Sequence, residues 1–96
     1  MTLFILERVT PSLRGELSKW MIEVQAGVFV GKINKMIREL LWQKLMKRVK
    51  TGTATMIWRS PEREQGFELK TWQPKGYTPV DVEGVWLIFR SQQANP

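Results

Sequence analysis

The sequence predicts one α+β domain with a ferredoxin-like arrangement, in which two helices cover the same face of a sheet. The chain has 96 residues, which is enough for one hydrophobic core but not for two. Its apolar residues alternate between strand spacing and helix spacing, in the order β-α-β-α-β-β-β. Because two helices in so short a chain cannot cover both faces of a sheet, we expect them to share one face.

The first third of the chain predicts a strand, a helix and a second strand. Residues 2–9 form a short apolar run, and Thr10-Pro11 is typical of a helix N-cap followed by proline at the first helical position. Residues 26–31 are β-branched or aromatic between two glycines, which predicts one short strand. A helix over 11–24 is predicted by a buried stripe at Leu13, Leu17, Trp20, Met21 and Val24.

A second helix, ending near Lys50, is predicted by the clearest periodicity in the chain. This interpretation leaves Lys35, Arg38 and Trp42 on the outer side of the helix. Trp42 could there stack on a nucleic-acid base or lie against another subunit, and we favour the subunit. The predicted buried stripe consists of Ile33, Met36, Ile37, Leu40, Leu41, Leu45 and Val49.

The last third predicts strands. Residues 52–59 and 66–73 alternate around a polar segment, which indicates a hairpin with Trp58 and Trp72 in the core. Residues 74–79 indicate a turn, residues 85–90 a last strand, and residues 91–96 a flexible C-terminal tail beyond a domain spanning 1–90. A strict βαββαβ order needs one more strand. That strand could lie at 22–25, or the second strand could be short and broken at Gly31, which we favour.

Composition and charge limit the function. The net charge is +6, and the segment 32–50 alone contains seven basic residues and one acidic residue, which favours a polyanionic partner over scattered solvated lysines. The chain has no cysteine or histidine, which excludes disulfides, thiol nucleophiles and the usual zinc ligands. No segment has the form of a membrane span or a signal peptide, so we expect a cytoplasmic protein without membrane contact.

Catalysis in such a chain would depend on carboxylates that bind a hard metal ion such as Mg²⁺. Glu7 is the best placed, because it lies where the first strand ends and a dimer would present two copies of it. The simpler interpretation is that Glu7 pairs with Arg8 or another basic residue at the strand end, and we favour this interpretation.

Several short motifs occur in a fixed order along nearly the whole chain: LRG at 13–15, AGVFVG at 26–31, IRE at 37–39, GFE at 66–68 and TPVD at 78–81. In this combination the chain resembles the CRISPR-associated Cas-two family, in the branch that accompanies the type I, subtype E (Cascade) systems. The resemblance implies a ferredoxin-like sandwich with an additional C-terminal strand. It also implies a symmetric homodimer formed through the sheets, with the C-terminal strands extending onto the partner or onto a second protein.

The resemblance implies a role in CRISPR spacer acquisition. The dimer would bridge two dimers of the integrase Cas-one and bind the double-stranded prespacer DNA, while the integrase catalyses strand transfer. Glu64 and Glu83 match acidic family positions that face the integrase. The resemblance also implies an alternative, because many members of the wider family are Mg²⁺-dependent endonucleases that cleave RNA or double-stranded DNA. Their catalytic, metal-binding aspartate corresponds to Glu7 here.

The resemblance further implies which residues contact DNA. Arg14 matches a family arginine that binds the DNA backbone. Lys35, Arg38 and Lys75 lie close to positions at which the family has basic residues or on the same predicted basic ridge, and we expect them to contact nucleic acid.

Overall fold

A computed structural model describes residues 1–90 of the chain. Five strands form an antiparallel sheet in the order β2-β3-β1-β4-β5, and β6 pairs with β7 in a separate hairpin. The α+β class is confirmed, and the strand order is compatible with a ferredoxin-like fold. The elements are β1 (Thr2–Glu7), α1 (Pro11–Ser18), β2 (Ile22–Gln25), β3 (Val28–Gly31), α2 (Lys35–Arg48), β4 (Thr53–Arg59), β5 (Phe67–Trp72), β6 (Tyr77–Val82) and β7 (Val85–Arg90).

The hydrophobic core lies between the two helices and one face of the sheet. The register places Phe4 of β1 opposite Phe29 of β3 on one side and Met56 of β4 on the other, and all three side chains are fully buried. Successive strand residues point to opposite faces, so the helices cover only every second residue of each strand. The helices contribute Leu13, Leu17, Leu41, Trp42 and Leu45 to this core.

The first helix is shorter than the sequence predicts. Thr10 is its N-cap, as predicted, and its hydroxyl accepts a hydrogen bond from the Leu13 N–H at 3.2 Å. The helix ends at Ser18, and Trp20, predicted to be buried, is 48% exposed. The residues that follow form β2, so of the two interpretations left open the additional strand at 22–25 is confirmed and the strand broken at Gly31 is wrong. A turn at Gly27 with φ of +78° allows β2 to pair with β3.

The second helix lies close to its predicted bounds, but its buried stripe differs. Trp42, predicted to lie outside, is only 3% exposed and belongs to the core. Met36 and Leu40, predicted to be buried, are 72% and 51% exposed. Compared with the prediction, α2 is rotated about its axis so that Trp42, its largest side chain, faces the core. Burying Trp42 stabilises the fold more than burying Leu40, because it removes more apolar area from water.

The last third of the chain contains one strand that the sequence does not predict. The hairpin of β4 and β5 is confirmed, and Trp58 and Trp72 pack against the core as predicted. The predicted turn at 74–79 is wrong in its second half, because β6 begins at Tyr77 and contains Pro79. Proline fits there because β6 pairs only with β7, so its other edge needs no backbone donor.

The remaining predictions concern the C-terminal tail, the domain boundary and contact with a membrane. The predicted tail at 91–96 lies outside the residues that the structure describes, and the domain boundary at residue 90 stays a prediction. Within residues 1–90, neither helix has the length and apolar character needed to cross a membrane.

Candidate nucleic-acid interface

The end of the sheet at which β1 finishes carries a group of basic residues. The register places Glu7, the last residue of β1, opposite Thr53, the first residue of β4. Because neighbouring strands are antiparallel, four connecting segments meet at this end: 8–10, 26–27, 49–52 and 73–76. We call it the basic end and define it by five residues in or beside these segments: Arg8, Arg14, Arg48, Lys50 and Lys75.

Arg14 is held in place by a carboxylate. Its Nε and Nη2 atoms both donate to Oε2 of Glu23, the former at 3.0 Å, and the backbone N–H of Gly27 donates to the same oxygen at 2.9 Å. The Gly27 N–H, with Arg14, holds the pKa of Glu23 below its ordinary value, so the carboxylate stays ionised. Glu23 thus fixes the guanidinium of Arg14, whose side chain is still 41% exposed and keeps N–H donors for a further anion.

A surface pocket of about 180 Å³ brings Arg8 next to Arg14, and Leu6, Val9, Ala26 and Gly27 form the rest of its wall. Arg8 has a φ of +59°, a left-handed conformation that is uncommon for a residue with a side chain. The close approach of Gly52 holds this turn, since a Cβ atom there would lie 2.1 Å from the Glu7 carbonyl oxygen. Two arginines on one pocket wall form a surface that attracts anions.

Polar contacts hold the two helices side by side at the basic end. The Lys44 ammonium of α2 donates to Oε2 of Glu16 in α1 at 2.9 Å, and one turn later Nη2 of Arg48 donates to Oγ of Ser12 at 2.8 Å. The hydrogen bond from Lys44, with the nearby charge of Lys19, holds the pKa of Glu16 below its ordinary value. These contacts place Arg48 beside the first turn of α1.

A second pocket, of about 160 Å³, contains the residue predicted to be catalytic. Glu7 is exposed there, and its Oε1 accepts a hydrogen bond from the Thr53 hydroxyl at 3.3 Å. Ile5, Thr55, Pro74, Lys75 and Tyr77 form the other walls, so Glu7 is the one carboxylate among these lining residues. Within residues 1–90 no three carboxylate or other metal-ligating side chains come together. One chain therefore offers Glu7 alone among the described residues that line this pocket.

The four basic residues predicted to contact nucleic acid do not form one cluster. Arg14 and Lys75 lie at the basic end, whereas Lys35 is the first residue of α2 and lies about 20 Å from Arg48 along the helix. Arg38 lies one turn from Lys35, and its side chain is only 13% exposed. Its guanidinium lies 4.4 Å from the ring centre of Trp58, so most of its surface is covered by protein.

The structure adds Arg8 and Arg48 to the basic residues that the sequence singles out. Arg8 follows a strand, and Arg48 is one of seven basic residues in a long segment, so neither has a local pattern that marks it. Arg8 shares a pocket with Arg14 because of the turn after β1, and Arg48 reaches the first turn of α1 because the two helices pack together. Only tertiary structure could identify them.

The hairpin of β6 and β7 is fastened to the loop that precedes β5. Arg63 in this loop donates to Glu68 and Asp81 at 2.9 Å each, and its guanidinium lies 4.8 Å from the ring centre of Trp86. Gln65 exchanges two hydrogen bonds with the backbone of Trp86, at 2.6 and 3.1 Å. The hydrogen bond from Arg63 also lowers the pKa of Asp81.

This attachment brings the two acidic residues predicted to face a partner into neighbouring loops. Glu64 lies between Arg63 and Gln65, and Glu83 lies in the turn between β6 and β7, and both are exposed. The face of the hairpin opposite Asp81 and Trp86 carries large apolar side chains that stay exposed: Val82, Leu87 and Phe89. Acidic groups beside exposed apolar side chains are typical of a protein-binding surface.

The sheet face opposite the helices is apolar as well. Its apolar side chains on β1, β3 and β4 are Leu3, Ile5, Val28, Val30 and Ile57, and each is partly exposed. Tyr77 at the start of β6 lies beside Ile5 at the margin of this face. An apolar sheet face without a covering layer of helices is a surface on which another protein can pack.

Comparison with known proteins gives one family. The model of a family described as CRISPR-associated protein (Cas_Cas2CT1978) matches residues 1–87. The match includes both helices, all five strands of the sheet and most of the C-terminal hairpin, and it contains every residue of the basic end.

Proposed function

The chain belongs to the CRISPR-associated Cas-two family, and on that premise we propose that it acts as a dimeric scaffold in CRISPR spacer acquisition. In this role it binds the double-stranded prespacer DNA and bridges two dimers of the integrase Cas-one, as in type I, subtype E systems. The observation that carries the proposal is the basic end, where Arg8 and Arg14 share a pocket and Arg48 contacts the first turn of α1, on a protein of net charge +6.

The basic end supports the binding of a nucleic-acid backbone. Arginine forms paired hydrogen bonds with phosphate oxygens, and a positive surface draws DNA to it over a distance. Each phosphate that the protein neutralises lowers the slope of log affinity against log salt by about 0.9, so five contacts in one copy give a slope near −4.5. Arg14 and Lys75 are the predicted contacts at this end, and Lys35 and Arg38 would serve a strand that continues along α2.

The homodimer is supported by the uncovered sheet face. Stable interfaces bury about 800 Å² on each partner, and the apolar side chains of Leu3, Val30 and Ile57 form a suitable centre. Because the same face meets itself in a twofold dimer, one apolar patch on each copy is sufficient. Two copies would then present two basic ends to one duplex.

The integrase contact is supported by the C-terminal hairpin. Glu64 and Glu83 offer negative charge on an otherwise basic protein, and Leu87 and Phe89 offer exposed apolar area beside them. Acidic groups there would repel DNA and attract a basic partner surface, which separates the two binding functions. Catalysis of strand transfer belongs to the integrase in this proposal.

One set of measurements tests the proposal. Light scattering coupled to gel filtration, with and without the integrase, is expected to show a dimer alone and a larger complex with both proteins. A labelled duplex of about 30 base pairs, roughly 100 Å long, is expected to bind the dimer with an affinity that falls steeply with salt. The charge-reversing variant E64K/E83K should lose the integrase complex while keeping DNA binding. A monomer that binds neither the duplex nor the integrase would refute the proposal.

A further inference from the structure

The basic residues of the chain differ in what neutralises them. Within residues 1–90, six of them form ion pairs with carboxylates: Arg14, Lys19, Arg38, Lys44, Arg63 and Lys70. Arg48 forms no such ion pair with a residue of this range. Its side chain still has a defined position, because Nη2 donates to the Ser12 hydroxyl at 2.8 Å. A hydroxyl orients a guanidinium without cancelling its charge.

The position of Arg48 is fixed by both helices. It is the last residue of α2, and Lys44 one turn earlier is tied to Glu16 of α1 at 2.9 Å. Ser12 is the second residue of α1, two residues before Arg14. The first turn of α1 therefore carries Arg14 itself and contacts Arg48 through Ser12, and both arginines are exposed to some extent at the basic end.

The hydrogen bond between Arg48 and Ser12 adds little to the stability of the fold. A hydrogen bond between exposed side chains contributes little, because both groups are solvated when it breaks. The arrangement leaves Arg48 with a positive charge that, within residues 1–90, no carboxylate neutralises. An anion that contacts Arg48 would neutralise this charge.

We infer that Arg48 binds a phosphate of the DNA duplex, that Ser12 is the residue that positions it, and that Arg8 and Arg14 bind a neighbouring phosphate in their shared pocket. This inference rests on the proposed function and deepens it, because it assigns individual phosphate contacts to Arg8, Arg14 and Arg48 and a positioning role to Ser12. Arg8 and Arg14 share the pocket beside the turn after β1, and Arg48 lies at the end of α2 against the first turn of α1.

The experiment measures duplex affinity at several salt concentrations for Arg48→Ala and for Lys47→Ala. Lys47 is the matched control, because it is the preceding residue of α2, is exposed and carries the same charge. Arg48→Ala is expected to make the salt slope shallower by about 0.9, which changes the affinity ratio between 50 and 200 mM salt by roughly 3.5-fold. Lys47→Ala is expected to change the slope much less. Arg48→Lys should restore the slope, since it keeps the charge, but not the full affinity, since it loses the planar fork.

Two further variants separate a binding role from a structural role. Ser12→Ala should lower the affinity by less than Arg48→Ala and leave the slope near that of the wild type, because the charge remains. Arg8→Ala should also make the slope shallower. Equal slopes for Arg48→Ala, Lys47→Ala and the wild type would overturn the inference while the proposed DNA binding stands. A wild-type protein that does not bind the duplex would overturn both, and a change in melting temperature without a change in slope would assign Arg48 to helix packing instead.

Discussion

Trp42 is buried and Trp20 is exposed, which is the reverse of what sequence periodicity predicts. Replacing each of them by alanine tests the structure directly. Trp42 is 3% exposed in the core, whereas Trp20 is 48% exposed just after α1. A buried tryptophan removes about 150–250 Å² from water, which corresponds to about 4–6 kcal/mol at 25 cal/mol per Å². Trp42→Ala should therefore lower the free energy of unfolding by about 3–5 kcal/mol, since the surrounding side chains relax in part. Trp20→Ala should cost at most about half of that, because half of its surface is already in water.

The measurement is urea unfolding followed by far-ultraviolet circular dichroism, because tryptophan fluorescence itself changes in both variants. A domain of this size has a free energy of unfolding of roughly 5–14 kcal/mol, so Trp42→Ala removes a large part of it. Trp42→Phe is a milder substitution at the same position. Each 1 kcal/mol should lower the melting temperature by about 4–8 °C. If Trp20→Ala were as costly as Trp42→Ala, Trp20 would be buried, and the exposed position of Trp20 after α1 would be refuted. A small cost for Trp42→Ala would refute the orientation of α2.

Three more outcomes are expected. Gly52→Ala should destabilise the protein by about 1–3 kcal/mol, because the new Cβ atom would lie 2.1 Å from the Glu7 carbonyl oxygen. Gly15→Ala in α1 should stabilise the protein by about 0.5–1 kcal/mol, because its Cβ atom would meet nothing within 4 Å. Urea unfolding measures both changes. Asp81 has a lowered pKa through Arg63, so its contribution to stability is present above its ordinary pKa and is lost as the pH falls through the lowered one. The urea midpoint should therefore fall less between about pH 6 and pH 3 in Asp81→Asn than in the wild type. Glu7→Ala should leave the affinity for the duplex within about twofold of the wild-type value. If the wild type cleaved RNA or DNA with Mg²⁺ and Glu7→Ala did not, the endonuclease alternative would be supported instead.

Local signals predicted the parts of the fold that local physics determines. The pair Thr10-Pro11 marks the start of α1 because its hydroxyl and its fixed φ act within one turn of the chain. The hairpin of β4 and β5 is likewise visible in its alternating residues. The strand β2 was only the less favoured of two interpretations, because its apolar residues continue the helical spacing of α1 by coincidence. Pairing with β3 overrides that spacing, and it requires the Gly27 turn, whose role depends on contact with β1.

The same limit applies to the candidate site. The excess of basic residues and the position of Arg14 can be obtained from the sequence, because they depend on residue types and on short motifs. The separation of Lys35 and Arg38 from Arg14 cannot be obtained from the sequence, because it depends on the direction of α2. The burial of Arg38 cannot be obtained either, because it depends on the packing of its guanidinium against Trp58. Arg48 contacts Ser12 in the first turn of α1 only because the end of α2 packs against the start of α1.

A scaffold must bind its partners at the same time, and the surfaces of this domain are divided accordingly. Arg14 and Arg48 at the basic end, Leu3 and Ile57 on the sheet face, and Phe89 on the hairpin belong to separate surfaces with no residue in common. Their chemistry differs as well, since the basic end suits an anion and the other two surfaces suit proteins. Because substitutions at distant sites act additively, a variant in one surface should leave the other two binding steps unchanged. A single substitution that abolished all three would instead show that one surface forms only after another is occupied.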